Sequence, residues 1–224
     1  TFIEKGCKFL FVANSQFSIR YPLMKKHIHL ISLLLFMISV SINAQKQTFH
    51  LGLGWNLGNQ MDAYVNGVAN ETCWGNGKAT QQTFDCLKSM GFSTVRIPVT
   101  WLGHIGSAPD YKIEDAWLDR VVQLVGYAET AGLNAVINIH HDGGSSQHWL
   151  DVKEAAKDEA VNQKIKDQLH AMWTQIALRF KKKGNFLMFE SMNEIHDGKW
   201  GYGDNLADGG RQHEIVNEWN QVFV

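Results

Sequence analysis

Phe186-Leu187-Met188-Phe189 is an apolar run that closes on Glu190-Ser191-Met192-Asn193-Glu194. An amide and a carboxylate side by side, at the end of a strand whose body is buried, place a proton-transfer group at the mouth of a sheet or barrel. A carboxylate there is a poor core residue, because burying its charge unpaired is costly. The plainer alternative is a strand that simply ends in solvent. Asn56, Arg96 and His140 stand at or near the ends of three other apolar runs, and that repetition favours chemistry over coincidence.

The elements that must position these groups alternate along the chain. Leu51–Leu57 reads as a strand. Thr80–Met90 reads as a helix with Phe84, Leu87 and Met90 on one face, and Thr94–Pro98 as a short strand. Trp117, Leu118, Val121, Val122, Val125 and Ala128 mark a second helix, with Gly132 at the expected C-terminal cap. Ala135–His140 is a β-branched strand. Ile165, Leu169, Met172, Trp173, Ile176 and Phe180 mark the longest helix, ending at Lys183-Gly184. Phe186–Met192 is the fourth strand, and Gly209-Gly210 leads into a helix carrying Ile215, Trp219 and Val222.

Four strand–helix units in order imply a parallel α/β sheet. A doubly wound nucleotide-binding fold would place a Gly-rich turn directly after its first strand. No GxGxxG or GxxxxGK occurs. Polar groups at four strand ends fit a (β/α)8 TIM barrel instead, whose active residues lie at the C-terminal ends of its strands. Such a barrel needs about 250 residues, more than Gln45–Val224 supplies. The pattern also ends inside an apparent helix at Gln221-Val222-Phe223-Val224. The expectation is therefore the first four β/α units of a barrel, cut at an artificial end, with residues 45–224 as its N-terminal half.

Ahead of this lies a different kind of segment. Met24-Lys25-Lys26-His27 is basic, Leu30–Ile42 is almost unbroken apolar sequence, and Asn43-Ala44-Gln45 offers a small residue for cleavage. Residues 24–44 thus have the layout of a secretory signal peptide, with an apolar run, Leu30–Ile42, too short for a span of about 20 residues. An uncleaved signal anchor is the second reading. Residues 1–23 read as non-native upstream translation. Lys+Arg 21 against Asp+Glu 22 gives no electrostatic case for nucleic acid or an anionic membrane. Cys73 and Cys86, if paired in an exported chain, would contribute about 3 kcal/mol. A Gly-rich loop for one and a helical pattern for the other favour two unpaired, partly buried thiols.

A carboxylate pair for glycoside hydrolysis stands about 5–5.5 Å apart for retention or about 6.5–9.5 Å for inversion. Glu190 and Glu194 are four residues apart on one strand, about 13 Å along it. Glu190 is therefore expected deeper, in an ion pair or hydrogen-bond network, and Glu194 at the rim as the general acid. Its partner must come from another strand.

Gly54-Trp55-Asn56-Leu57-Gly58-Asn59, Val95-Arg96-Ile97-Pro98-Val99-Thr100-Trp101, Ile137-Asn138-Ile139-His140-His141-Asp142 and Phe189-Glu190-Ser191-Met192-Asn193-Glu194 occur in this order. Together they closely resemble the glycoside hydrolase family 5 endoglucanases, retaining β-glycanases on a TIM barrel, from about Leu51 to Val224. The resemblance implies Glu194 as acid/base and Asn193 as the amide that bonds the sugar 2-hydroxyl. It implies His140 as the active-site histidine with His141 its neighbour, and Arg96 as the arginine that holds the nucleophile ionised. Ile195 stands where the family commonly has Pro. No residue matches the family's nucleophile Glu, so the chain alone is expected to be inactive.

The implied function is a secreted or periplasmic endo-β-1,4-glucanase acting on β-1,4-linked polysaccharide, with no cofactor; a non-catalytic β-glucan-binding barrel or pseudo-enzyme is the alternative, and the oligomeric state stays open. Plainer roles remain for several residues: His140 as a hydrogen-bonded core histidine, Arg96 as a structural ion-pair partner, His141 as a buttress on the opposite face. Trp117, Trp173 and Trp219 fall on helical stripes and read as core. Trp55, Trp74, Trp101, Trp149, Trp200 and Tyr202 lie at strand ends or in loops, suited to sugar stacking or to loop packing. Asn56, Trp74, Trp101 and Trp200, with His141, are the substrate-binding candidates. A metal site joining His104, His148 or His196 to His140 is not expected, because neighbours on a regular strand face opposite ways. Asp142-Gly143-Gly144 and Asp208-Gly209-Gly210 read as turns.

Overall fold

The computed structural model describes residues 50–144, 148–198 and 209–224. The leader expected at 24–44 lies outside them. Six strands and five helices follow in the order β1 (Gly54–Asn56), β2 (Tyr64–Val65), β3 (Val68–Ala69), α1 (Gln81–Ser89), β4 (Thr94–Ile97), α2 (Asp115–Ala131), β5 (Asn134–Asn138), α3 (Val152–Ala155), α4 (Glu159–Phe180), β6 (Leu187–Glu190) and α5 (Arg211–Phe223).

Local chemistry sets the helix limits. Thr80 is extended ahead of α1, and its backbone N–H donates to the Thr83 hydroxyl at 3.2 Å. Asp158 accepts the Ala160 N–H at 2.8 Å and starts α4. Gly132 ends α2 at φ 68, a left-handed conformation that a Cβ would strain. Its turn is closed by Leu133 N–H donating to the Ala128 carbonyl at 2.9 Å.

Strands β1, β4, β5 and β6 form one parallel sheet in that order, with Asn56 level with Arg96, Arg96 with Val136, and Asn138 with Glu190. Strand alternation then sorts the side chains. Val95, Ile97, Ala135 and Ile137 are buried among Val121, Leu124, Val125, Leu169, Met172 and Ile176 of the helices. Each large apolar side chain so covered contributes about 1.5–3 kcal/mol. Asn56, Arg96, Asn138 and Glu190 occupy the other face, where they meet one another. This is the arrangement of four consecutive β/α units of an α/β barrel, as the alternating pattern predicts.

Several details differ from the sequence reading. The first strand is three residues rather than seven, because Leu51 and Leu53 lie outside any ladder and are exposed. Met90, expected on the apolar stripe, caps α1 and is 64% exposed. Cys73 and Cys86 are both free, but only Cys73 is partly buried; Cys86 is exposed. The β2–β3 hairpin and α3 have no counterpart in the sequence reading. Trp117, Trp173 and Trp219 are core, as their stripes imply. Among the described residues no helix is long and apolar enough to cross a membrane.

Candidate active site

Arg96 organises the inner face. Its Nε donates to Glu190 Oε2 at 2.7 Å and its Nη2 to Glu190 Oε1 at 2.5 Å, the two-pronged geometry that a guanidinium gives a carboxylate. Nη2 also donates to Asn193 Oδ1 at 2.8 Å, and Nη1 to Asn56 Oδ1 at 3.0 Å. Asn138, from the strand between, donates to Glu190 Oε1 at 3.1 Å. Burial pushes the Glu190 carboxyl up, but the bonds from Arg96 and Asn138 outweigh it and hold it below the usual range. Glu190 is thus an ionised carboxylate inside a hydrogen-bond network. It is also the carboxylate that Arg96 holds among the described residues, where the family resemblance gave that place to a nucleophile. Asn56, a candidate sugar contact, spends its carbonyl on Arg96.

Four residues on, the chain has left β6. Asn193 N–H donates to the Ile139 carbonyl at 2.9 Å, and with its side-chain oxygen taken by Arg96, the Asn193 NH2 is left to donate elsewhere. Glu194 follows at φ 43, an uncommon conformation for a residue with a Cβ. Its side chain is exposed.

His140 and His141 stand beside this rim. Strand β5 ends at Asn138, and alternation ends with it. The two rings lie 4.4 Å apart at 71°, and together with Asp62 each offers one ligand atom within 4.8 Å of the others. The expectation that they face opposite ways is therefore wrong: the backbone has left the strand, with His140 N–H donating to the Val99 carbonyl and His141 N–H to the Thr100 hydroxyl. Burial lowers both imidazoles, His140 to about 4 with His141 and Arg96 adding to the effect. Both rings are neutral at neutral pH. His104 and His148 lie outside this group, one bonded to Glu114 and the Ala69 carbonyl, the other to the Gly143 carbonyl.

An aromatic wall adjoins the histidines. Trp74 is 44% exposed, its Nε1 donates to the Tyr64 carbonyl at 2.9 Å, and its ring lies 5.7 Å from both Tyr64 and His141. Tyr64 also meets His148 at 5.3 Å. The sequence reading missed Tyr64 and Asp62. Asn66-Gly67, both at positive φ, is the hairpin signal that would have placed Tyr64 on β2. Trp101 is a correction: it is fully buried, with Nε1 on the Asn138 carbonyl at 3.1 Å, and serves packing rather than sugar. Trp55 is half exposed on β1 against Phe92, and Trp149 bonds Asp142. Trp200 and Tyr202 lie outside the described residues.

Asp142 is a second correction. It stands in a bend, as a turn reading allows, but it is a fully buried acid that accepts from Trp101 N–H and from Trp149 Nε1 at 2.7 Å. Burial raises its carboxyl from 3.8 to about 7 against these two bonds. Between those values the folded protein holds a proton that the unfolded chain has lost. Stability conferred here therefore falls as pH rises from about 4 to about 7, then levels off. Asp142→Asn, whose single oxygen can still accept from both donors, is expected to flatten that slope in urea unfolding at pH 5 and pH 8. An unchanged slope would assign the pH dependence to other groups.

Residues 59–224 match the model of the cellulase family, glycosyl hydrolase family 5. Endoglucanase A of Paenibacillus barcinonensis is 42% identical over 186 residues, covering 82% of this chain and 44% of that protein. A broad-specificity endoglucanase of subfamily GH5-4 from Bacteroides salanitronis superposes with TM-score 0.77 at 70% identity, over 78% of this chain and 46% of that one. A family 5 xyloglucanase from Paenibacillus pabuli does so with TM-score 0.70 at 43% identity, over 77% and 46%. The chain thus spans a little under half the length of these relatives. It belongs to glycosyl hydrolase family 5.

Proposed function

We propose that this chain forms part of a retaining endo-β-1,4-glucanase that cleaves internal bonds of plant cell-wall β-glucans, and that it is exported by the leader at 24–44. The observation that carries the reading is the pairing of Asn193 and Glu194: Arg96 takes the amide oxygen, and the next side chain stands exposed at the strand end. In this reading Glu194 protonates the leaving glycosidic oxygen and then takes a proton from the attacking water. Asn193 donates to the sugar 2-hydroxyl. A second carboxylate, with no match in this chain, attacks the anomeric carbon. Glu190 is not assigned that role, because it precedes Glu194 by four residues at the end of the same strand and the partner carboxylate must come from another. Trp74 offers a flat apolar face to a sugar ring, beside neutral His140 and His141.

Two relatives supply the substrate range to test, one of broad specificity and one a xyloglucanase. The full-length protein is expected to hydrolyse carboxymethylcellulose, mixed-linkage glucan or xyloglucan, with the β-anomer appearing first by proton NMR. Initial release of the α-anomer, or no cleavage of any β-1,4-glucan, would reject the reading. Trp74→Ala is expected to raise KM about fivefold, near 1 kcal/mol of ring contact, with kcat little changed. A fall in kcat at constant KM would move Trp74 out of substrate binding.

A further inference from the structure

Asn138 is fully buried at the end of β5, and its side chain has three partners. Its Oδ1 accepts the Val99 backbone N–H at 3.1 Å. Its Nδ2 lies 3.1 Å from Glu190 Oε1 and 3.1 Å from His140 Nδ1. This set admits one orientation of the amide. A backbone N–H only donates, so it must face the carbonyl oxygen; an ionised carboxylate only accepts, so it must face the NH2. The second N–H of that NH2 then points to His140 Nδ1. An amide nitrogen is no acceptor, so Nδ1 has to be the acceptor in that contact and carries no proton.

We propose that Asn138 is a positioning residue that fixes His140 in the tautomer with Nδ1 bare and the proton on Nε2, making the nitrogen away from Asn138 a hydrogen-bond donor. Because the buried ring is neutral, it has one N–H and no freedom to place it elsewhere. A sugar oxygen beside that nitrogen meets a donor. A metal ion at Asp62, His140 and His141 would need a bare nitrogen from each imidazole, and the bare nitrogen of His140 is already taken by Asn138. His140, one of the three groups spaced for a cation, thereby presents a donor there rather than a bare nitrogen. The consequence for catalysis rests on the glycosidase reading; the tautomer does not.

The test is a long-range proton–nitrogen correlation spectrum of the 15N-labelled full-length protein, with the His140 ring assigned by its loss in His140→Gln. The expected result is an unprotonated Nδ1 and a protonated Nε2; a protonated Nδ1 overturns the proposal without reference to activity. Asn138→Asp keeps an acceptor for Val99 N–H but sets a carboxylate oxygen opposite Nδ1. It is expected to move the proton to Nδ1 or to create an imidazolium. With the glucan substrate, kcat/KM should fall on the order of 10²-fold, and a new ionisation should enter the pH profile. A wild-type ring spectrum in that variant overturns the proposal. Should the variant not fold, the wild-type spectrum still decides. A confirmed tautomer in a protein that cleaves no glucan rejects the glycosidase reading alone.

Discussion

Glu194→Gln in the full-length protein is expected to lower kcat/KM on β-glucan by about 10³-fold, inside the range of about 10²–10⁴ for a general acid–base group. The side chain is exposed at the end of the Arg96–Asn193 chain of contacts. Folding stability should therefore stay within about 0.5 kcal/mol of wild type, as for surface substitutions generally. The loss should depend on the leaving group. From a dinitrophenyl cellobioside the dinitrophenolate departs without protonation, so the first step should be nearly as fast as in wild type, and the intermediate should accumulate because water lacks its base. Added azide, which needs no base, should restore turnover on that substrate. A fall of less than tenfold on glucan, or equal losses on both substrates, would take the acid/base role away from Glu194.

The second large effect is expected away from the rim, at Arg120. Glu71 is only 5% exposed, yet it is a carboxylate. Arg120 from α2 grips it with Nη2 at 2.6 Å and Nε at 2.9 Å, and the Ala79 N–H adds a third bond at 3.1 Å. Arg120 also donates to the Ala79 carbonyl at 2.6 Å, so one guanidinium pins both ends of the segment 71–79 that carries Trp74. Arg120→Met leaves that carboxylate buried without its cation and is expected to cost about 3 kcal/mol, at the low end of the range for broken buried pairs. Glu71→Leu combined with Arg120→Met should recover most of the loss, since the desolvation of both charges disappears together. Urea unfolding of the single and double variants measures this. Equal destabilisation in both would mean that the segment depends on the ion pair itself rather than on relief of an orphaned charge.

What could be read from the chain and what could not follow a physical line. The helices α2 and α4 are legible because their apolar residues repeat at helical spacing over many turns, and Gly132 marks a stop that only a left-handed residue makes easily. Arg96, Asn193 and Glu194 are legible as strand-end groups because strand alternation and polarity agree there. The hairpin β2–β3 has two residues per strand, too few for any periodicity to show. The placing of His140 beside His141 depends on the strand ending at Asn138, which is decided by bonds to Val99 and Thr100 some forty residues away in sequence. Trp101 looks like a loop aromatic because its pocket is made by Asn138 and Asp142, 37 and 41 residues further on. Asp142 reads as a turn for the same reason: nothing local says that two tryptophans will close over it.

The Glu190 carboxylate on β6 joins Arg96 of β4 and Asn138 of β5, and Arg96 extends the network to Asn193, three residues past the strand. Its consequence is for how this sequence can drift. Arg96, Asn138, Glu190 and Asn193 can be changed one at a time only by stranding a charge or an amide, so single-site variant libraries should find almost no tolerated replacement at any of them. Pairs altered together should survive far more often than the product of the single survivals. The barrel wall around them has no such coupling, and Val136 or Met188 should accept neighbours of similar volume independently. Within one sheet face, then, adjacent positions obey two different rules of inheritance: the apolar ones vary alone, and the polar ones vary as a set.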